Sequence, residues 1–241
     1  MDKRKAGPVE NTYLISHDTP FVFNEAFNTL RANLRFAAID GGVKKIIVTS
    51  AIEGEGKTTV AINLAICLGQ ISKRVLLVDT DLRKPKVHRY LKIKRNKMIG
   101  VTSALAGVQP IHENIVSLEE YGIHVLPCGP VVPNPTELLQ SKAMSNMVNE
   151  LAQSYEYVIF DSPPVSIVSD AAVLSRLAEG VIFVLRQGYT PQDAALAARK
   201  SLQNVQAHVL GCVINSFSGE KSNRFNSSYY YRQYSSYGKY K

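Results

Sequence analysis

The chain has 241 residues, 45% of them apolar, and a formal net charge of +8 at neutral pH. This length suits one large α/β domain or two small ones and allows a sizeable core. No stretch approaches the eighteen or so apolar residues of a membrane-spanning helix, and the charged N-terminal segment lacks the apolar core of a signal peptide, so we expect a cytoplasmic protein.

The first predicted elements are an irregular segment and an amphipathic helix. Residues 1–20 carry no apolar periodicity and are predicted to form a flexible arm. Phe23, Phe27, Leu30 and Leu34 then recur at helical spacing. This spacing predicts a helix whose apolar face packs on a core.

Short apolar runs then alternate with helical segments. The predicted strands are KKIIVTS, VLLVD, IHVLPCG, YVIFD, GVIFVLR and HVLGCVIN. Each run is continuously apolar, as expected for strands that are covered on both faces. A helix follows from Lys57 to about Gln70, and a long one begins near Thr136. The pattern predicts an α/β fold, a single P-loop domain over residues 21–216 with a mostly parallel central sheet and helices on both faces.

The remaining segment, residues 217–241, is rich in Ser, Asn and Tyr and is predicted to form a disordered tail. Cys67, Cys128 and Cys212 lie far apart in apolar runs, which predicts buried thiols in a reducing compartment. The histidines show no metal-ligand spacing. The basic run from Lys84 to Lys97 predicts either a solvated surface or a contact with an acidic partner or membrane face.

The stretch IIVTSAIEGEGKTTVAINLA predicts a phosphate-binding loop. A buried strand leads into a glycine-containing turn and then a helix, so backbone N–H groups converge on a phosphate. Lys57 can reach the β- and γ-phosphates, and the Thr58 hydroxyl can bind Mg²⁺. Ala51 stands where the usual pattern begins with Gly. The predicted nucleotide contacts are Glu53, Gly54, Glu55, Gly56, Lys57, Thr58 and Thr59.

Three aspartates follow predicted strands. Asp79 and Asp81 lie at the end of VLLVD, and Asp161 ends YVIFD. The carboxyl ends of parallel strands gather beside the loop that holds the phosphates. One carboxylate would complete the Mg²⁺ shell, and another could accept a proton or orient a nucleophile.

These stretches together resemble a known family. AIEGEGKTTVA, LLVDTDLRKP and VIFDSPP resemble the Walker A, Walker A′ and Walker B motifs of the bacterial protein-tyrosine kinases (BY-kinases) of capsule and exopolysaccharide synthesis. GPVVPNPTELLQS is also similar to a stretch typical of them. The resemblance runs from about Glu25 to the tail. It implies an ATP-dependent kinase that phosphorylates its own C-terminal tyrosines in trans and regulates polysaccharide synthesis and export.

The resemblance implies roles for particular residues. Lys57, Thr58 and Thr59 would bind ATP phosphates, and Mg²⁺ would be held by Thr58, Asp81 and Asp161. Asp79 is the candidate base for the tyrosine hydroxyl, although its role and that of Asp81 could be reversed. Arg83 would stabilise charge on the transferring phosphoryl group. Asn215 would contact adenine.

The resemblance also implies partners. With no membrane segment, the chain resembles the format of the family in which the kinase and its transmembrane modulator are separate proteins. The cytoplasmic tail of the modulator would then hold the kinase at the inner face of the membrane. A cognate tyrosine phosphatase and protein substrates are implied. We expect no nucleic-acid partner, because the sequence contains no recognised DNA- or RNA-binding module. Glu25 and Arg31 resemble part of an oligomerisation motif that forms a homo-oligomer, such as a ring, while the tail is unphosphorylated. Asn28 replaces the middle Arg of that motif, which leaves the oligomer size open.

The tail itself holds half of the twelve tyrosines. The predicted autophosphorylation sites are Tyr229, Tyr230, Tyr231, Tyr234, Tyr237 and Tyr240. The alternative for the tail alone is low-complexity disorder. The alternative for the whole chain is a partition or positioning ATPase acting on DNA or membrane. Those ATPases carry a second Lys where this chain has Ile52, which favours the kinase.

Overall fold

The computed structural model describes residues 14–16, 18–37, 43–94, 100–166 and 170–217. Most of the predicted arm, and the tail beyond residue 217 with its six tyrosines, lie outside these residues. The helices and strands, in chain order, are α1 Phe21–Ala37, β1 Lys45–Ser50, α2 Lys57–Gly69, β2 Val75–Asp79, α3 Val87–Tyr90, α4 Val101–Leu105, β3 Val116–Leu118, β4 Ile123–Leu126, α5 Pro135–Gln140, α6 Lys142–Ser154, β5 Tyr157–Asp161, α7 Asp170–Ser175, β6 Gly180–Arg186, α8 Gln192–Asn204 and β7 Val209–Asn215.

The strands form one seven-stranded sheet in the order β3-β4-β2-β5-β1-β6-β7. All neighbouring pairs are parallel except β3 with β4. Strand β1, which precedes the predicted phosphate loop, lies next to β5, which carries Asp161. Strand β5 in turn lies next to β2, which carries Asp79. The predicted fold class, a mostly parallel sheet with helices on both faces, is confirmed.

A core covers each face of the sheet. On one face, Phe27 and Leu34 of α1 pack with the almost entirely buried helix α2. On the other face, α6, α7 and α8 contribute buried residues such as Met144, Leu174 and Leu202. Helix α1 therefore has the predicted amphipathic role. Ile15, from the segment before it, is buried, and its N–H donates to Asn63 Oδ1 of α2 at 2.8 Å.

The long helix predicted from Thr136 is wrong, because two helices occupy that stretch. The backbone of Ser141 is extended, with φ −67° and ψ 154°, and separates α5 from α6. Its hydroxyl accepts the Met144 N–H at 3.1 Å and so caps the start of α6. Strand β3, too short and too mixed in polarity for the apolar-run pattern, was not predicted either.

Strand β7 also differs from the expectation that every strand is covered on both faces. It lies at the edge of the sheet, and Val209, Cys212 and Ile214 are exposed. The prediction that Cys212 is buried is therefore wrong, whereas Cys67 and Cys128 are buried as predicted. None of the described helices is long and apolar enough to cross a bilayer.

Glu179, which precedes β6, fixes the start of β1. Its carboxylate accepts the N–H groups of Lys44 and Lys45 at 2.6 and 3.1 Å. Burial raises the pKa of Glu179, but the N–H groups of Lys44 and Lys45 and the Lys45 ammonium, 3.4 Å away, together lower it more, so the pKa lies below its ordinary value of 4.5. A carboxyl of this kind adds stability above its ordinary pKa and loses that contribution as the pH falls.

We expect Glu179→Gln to lower the free energy of unfolding by about 1 kcal/mol at neutral pH. The difference from wild type should narrow as the pH falls below 4.5, because both chains then carry an uncharged side chain there. Urea denaturation at several pH values measures this. Glu150→Gln, at an exposed position on α6, is the control. A pH-independent difference for Glu179→Gln would contradict the charge-based explanation.

Candidate active site

The predicted phosphate loop connects β1 to α2, and Gly56 closes it. Gly56 has φ 88°, in the left-handed region that favours glycine. A Cβ atom at this position would lie 2.0 Å from Nδ2 of Asn215. The turn therefore requires glycine at this position for two reasons: the backbone conformation and the close approach of Asn215. The first residues of α2, Lys57, Thr58 and Thr59, line the cleft, where the N–H groups of a helix N-terminus can bind phosphate.

A buried glutamate holds the loop from within. One carboxylate oxygen of Glu55 accepts the Ile52 N–H at 2.7 Å, and the other is hydrogen bonded to the Thr190 hydroxyl. Asn215 Nδ2 donates to the Glu55 carbonyl at 2.9 Å. Asn215, predicted to contact adenine, thus lies at the loop and braces it.

Two further side chains hold the outer part of the loop, and the sequence analysis missed both. Arg186 Nη1 donates to the Gly54 carbonyl at 3.1 Å, and the Tyr189 hydroxyl donates to the Glu53 carbonyl at 3.1 Å. The Arg186 guanidinium also lies 5.1 Å from the centroid of the Tyr189 ring. The available signal was the run of polar residues at the carboxyl end of β6.

The predicted lysine and aspartates converge beside the loop. Lys57 Nζ lies 3.0 Å from Asp81 Oδ2 and 3.9 Å from Asp161 Oδ1. The Thr58 hydroxyl donates to Asp161 Oδ2 at 2.7 Å. Asp79 and Asp161 are paired in register on β2 and β5, so both carboxyls leave the sheet at the same level. All five side chains belong to buried residues.

Burial and mutual repulsion set the charges of this cluster. Burial raises the pKa of Asp79 well above its ordinary value of 3.8, and the charges of Asp161 and Asp81 raise it further. Burial also raises the pKa of Asp161, although the Lys57 ammonium and the Thr58 hydroxyl oppose this. Burial lowers the pKa of Lys57, but the carboxylates of Asp161 and Asp81 outweigh it and raise the pKa overall. Lys57 is therefore a firmly charged cation.

Of the two aspartates at the carboxyl end of β2, only Asp81 lines the cleft. Asp81 lines it, whereas Asp79 is fully buried behind it and accepts the N–H groups of Asp81 and Val87, each at 3.3 Å. The burial of Asp79 favours a supporting role for it. The cleft is lined by Glu53, Gly54, Gly56, Lys57, Thr58, Thr59, Asp81, Arg83, Lys84, Lys86, Tyr90, Pro163 and Pro164.

Arg83 lies at the rim of the cleft and is held by a buried carboxylate. Its Nε donates to Asp170 Oδ2 at 2.8 Å, and Asp170 Oδ1 also accepts the Thr136 hydroxyl at 2.6 Å. Thr136 lies in the stretch GPVVPNPTELLQS, and its hydroxyl also accepts a hydrogen bond from Arg83 Nη2 at 2.9 Å, so that stretch orients Arg83 both directly and through Asp170. The sequence analysis did not identify Asp170, which no predicted motif includes.

The donor set suits a hard cation. Asp161 Oδ1 is buried and has no hydrogen-bond partner among the described residues. Carboxylate and hydroxyl oxygens are the ligands that Mg²⁺ prefers, and Mg²⁺ is commonly held by one or two carboxylates together with substrate phosphates. Asp161, Asp81 and the Thr58 hydroxyl therefore fit the ion that the resemblance implies.

The two residues of the predicted oligomerisation motif make contacts within this chain. Glu25 accepts a hydrogen bond from Asn28 Nδ2 at 2.8 Å, and Arg31 Nη1 donates to the Cys67 carbonyl of α2 at 2.8 Å. Arg31 thus ties α1 to the end of α2. These contacts neither require nor prevent a second subunit.

Comparison with known proteins gives one family model and several relatives. Residues 43–208 match the model described as an AAA domain. The tyrosine-protein kinase YwqD of Bacillus subtilis is 34% identical over 231 residues, 96% of this chain and 95% of that protein. The kinase domain of the Escherichia coli tyrosine kinase ETK superposes with a TM-score of 0.78 at 28% identity, over 88% of this chain and 86% of that chain. The septum site-determining protein MinD of Pyrococcus horikoshii, complexed with Mg-ADP, has a TM-score of 0.62 at 23% identity over 75% and 72% of the two chains, a likeness of fold alone.

We expect Lys57→Met to lower the free energy of unfolding of the ligand-free protein by about 3 kcal/mol, because it leaves buried carboxylates without a cation. Chemical denaturation followed by circular dichroism measures the change. Lys84→Met is the matched control, since Lys84 also lines the cleft but is 67% exposed. Its removal should leave the midpoint unchanged. Equal midpoints for wild type and Lys57→Met would contradict a stabilising role for the buried lysine.

Proposed function

This chain belongs to the bacterial tyrosine-protein kinases, and we propose that it transfers the γ-phosphoryl group of ATP to the tyrosines of its own C-terminal tail in the control of capsule or exopolysaccharide synthesis. Its membership confirms the family that the three motifs predicted. The partition-ATPase alternative has only a likeness of fold in its favour. The observation that carries the proposal is the convergence of Lys57, Asp81 and Asp161 beside a phosphate loop in a chain whose tail holds six tyrosines.

The loop and its lysine act on the nucleotide. Backbone N–H groups at the start of α2 bind phosphate oxygens, and Lys57 exchanges its contact with Asp81 for the β- and γ-phosphates. Asp161, Asp81 and Thr58 would hold Mg²⁺, which supplies neutralisation of phosphate charge. Arg83, fixed by Asp170, adds positive charge at the rim of the cleft.

We place the carboxylate that orients the tyrosine hydroxyl at Asp81 rather than Asp79, because orienting the hydroxyl is compatible with a place among the Mg²⁺ ligands. A tyrosine hydroxyl ordinarily titrates near 10, so transfer at neutral pH needs a base or exact positioning by a carboxylate. Asp81 is the carboxylate of the pair that lines the cleft. Asp79 holds the backbone N–H groups of Asp81 and Val87 and so positions the segment that carries Asp81.

Partners belong to the same proposal. A transmembrane modulator with a cytoplasmic tail would bring the chain to the inner face of the membrane, and a tyrosine phosphatase would reset the tail. Subunits would assemble through α1, which carries Glu25 and Arg31, and each tail would reach a neighbouring cleft. Each phosphate adds about −1.5 to −2 charges, and a tail that carries several of them would be released.

We expect the wild-type chain with Mg²⁺ and ATP to acquire phosphotyrosine on its tail, recorded by intact mass and phosphosite mapping. Replacing the six tail tyrosines with Phe should abolish this label and spare ATP binding. The control variant replaces two tyrosines of the folded domain, Tyr121 and Tyr157, with Phe and should keep the label.

Mixing two variants, neither of which can phosphorylate its own tail, tests transfer between subunits. Lys57→Met supplies an intact tail with a disabled cleft, and the six-Phe variant supplies an intact cleft. Label on the Lys57→Met chain would establish transfer in trans. Phosphate released only into solution, with none on protein, would favour the ATPase alternative.

We expect Asp81→Asn to lower kcat for tail phosphorylation by at least about a hundredfold, because it removes the carboxylate that faces the cleft. Asp79→Asn is the matched variant, two residues away on the same segment, and should lower kcat less. Steady-state kinetics with labelled ATP gives both values, and circular dichroism checks folding. A larger loss in Asp79→Asn would return the role of base to Asp79.

A further inference from the structure

A second cavity adjoins the nucleotide cleft on the side of α3. It has a volume of about 410 Å³. Its lining residues are Glu53, Arg83, Lys84, Pro85, Lys86, His88, Arg89 and Val131. Glu53, Arg83, Lys84 and Lys86 also line the nucleotide cleft, so the two spaces share a wall. A peptide that lies across the shared wall can therefore place one side chain in the cleft and another in the second cavity, named here the basic cavity.

The basic cavity carries an excess of positive charge. Four cationic side chains line it against one carboxylate, that of Glu53. Glu53 lies 2.8 Å from Lys84 Nζ and 3.6 Å from Lys86 Nζ, so it offsets only part of their charge. Arg89 is exposed and forms no ion pair with any described residue. An arginine in this state suits a phosphate, which its planar guanidinium binds through two hydrogen bonds.

The wall of the basic cavity is partly apolar. Val131 is 65% exposed, and Pro85 lies beside the basic side chains. Apolar surface next to cationic groups matches a ligand with a ring and a phosphate on it. An anionic lipid headgroup would use the cationic side chains but not the apolar surface beside them. An aryl phosphate would use both and therefore fits the cavity better.

The tail supplies such a ligand at a suitable spacing. Tyr231, Tyr234, Tyr237 and Tyr240 recur every three residues. Three residues of extended chain span about 10 Å, which separates successive tyrosines of this series enough for them to enter two different sites. When one tyrosine occupies the nucleotide cleft, its neighbour in the series can reach the basic cavity.

We propose that the basic cavity binds the phosphotyrosine of a tail that has already been phosphorylated once, while the next tyrosine of the same tail occupies the nucleotide cleft. The inference rests on the proposed kinase function and adds a substrate preference to it. The first transfer is slow, and its product lowers the KM for the second. Phosphorylation then proceeds along one tail before another tail is begun.

The test uses peptides of residues 226–241 and a full-length enzyme whose six tail tyrosines are Phe. In each peptide Tyr234 is the acceptor and the other tyrosines are Phe, with phosphotyrosine introduced at position 231 or at position 237. We expect at least one primed peptide to have a KM about tenfold lower than the unprimed peptide, with kcat unchanged. Phosphoserine at the same position should give a smaller gain, because it lacks the ring that packs on Val131 and Pro85.

Arg89→Ala should abolish the preference for the primed peptide. Lys94→Ala is the matched control, because Lys94 is an exposed member of the same basic run but does not line the basic cavity. It should keep the preference. Equal KM values for primed and unprimed peptides, or a preference that survives in Arg89→Ala, would overturn the assignment.

Fluorescence anisotropy of labelled peptides without ATP separates this inference from the kinase proposal. If no peptide is phosphorylated but the primed peptide binds through Arg89, the kinase proposal fails and the basic cavity still binds phosphotyrosine. If the unprimed peptide is phosphorylated with the same KM as the primed one, the kinase proposal stands and this inference fails. Arg89-dependent binding to vesicles of phosphatidylglycerol and phosphatidylcholine, with no effect on the primed peptide, would assign the cavity to the membrane and overturn it.

Discussion

The interaction on which the site depends is the burial of Lys57 among the carboxyl groups of Asp79, Asp81 and Asp161. The Lys57 ammonium would be costly to bury alone and is tolerated because Asp161 and Asp81 offset its charge, whereas burial and repulsion by the same two carboxylates disfavour the charged form of Asp79. The cluster remains short of positive charge, with one ammonium among three carboxyl groups. It is therefore suited to receive a divalent cation when phosphates draw the lysine away. The same arrangement that holds the apo site together prepares it for a metal-bound nucleotide.

The strand order makes this cluster possible. The chain passes from β1 through α2 to β2, and β5 later enters the sheet between them. This insertion aligns the end of the phosphate loop with two carboxyl-bearing strand ends, and Asp79 pairs with Asp161 in register. Helix α2 is buried between the sheet and α1 in the core on one face, and Ala51 of the loop belongs to the core on the other face, so the loop is anchored to both cores of the domain.

The features that depend on residues close together in the chain were predictable from the sequence. The loop around Lys57 and the aspartates at strand ends are marked by short motifs, and α1 by its helical spacing. Other parts depend on contacts between segments remote in the chain. Asp170 meets Arg83 across 87 positions. Tyr189 meets Glu53 across 136.

Three departures from the sequence-based predictions have different physical origins. Cys212 lies in an apolar run like those of the central strands, but β7 is at the edge of the sheet. The residues of a strand do not by themselves determine whether that strand is central or at the edge. The break at Ser141 depends on a single serine hydroxyl that caps α6 within an otherwise helical stretch, where helix propensity alone favours continuation. The three-residue β3 is recognisable only through its pairing with β4.

The brace around the phosphate loop has a consequence for the entropy of nucleotide binding. Glu55, Asn215, Arg186 and Tyr189 hold the loop by its own backbone, and none of these bonds uses a phosphate. A flexible loop would lose conformational entropy when the nucleotide binds. This loop has already lost that entropy on folding, so binding costs less. The principal rearrangement left to the nucleotide is that of one side chain, as Lys57 leaves Asp81. ADP can then depart without unfolding the loop, which stays in shape for the next ATP.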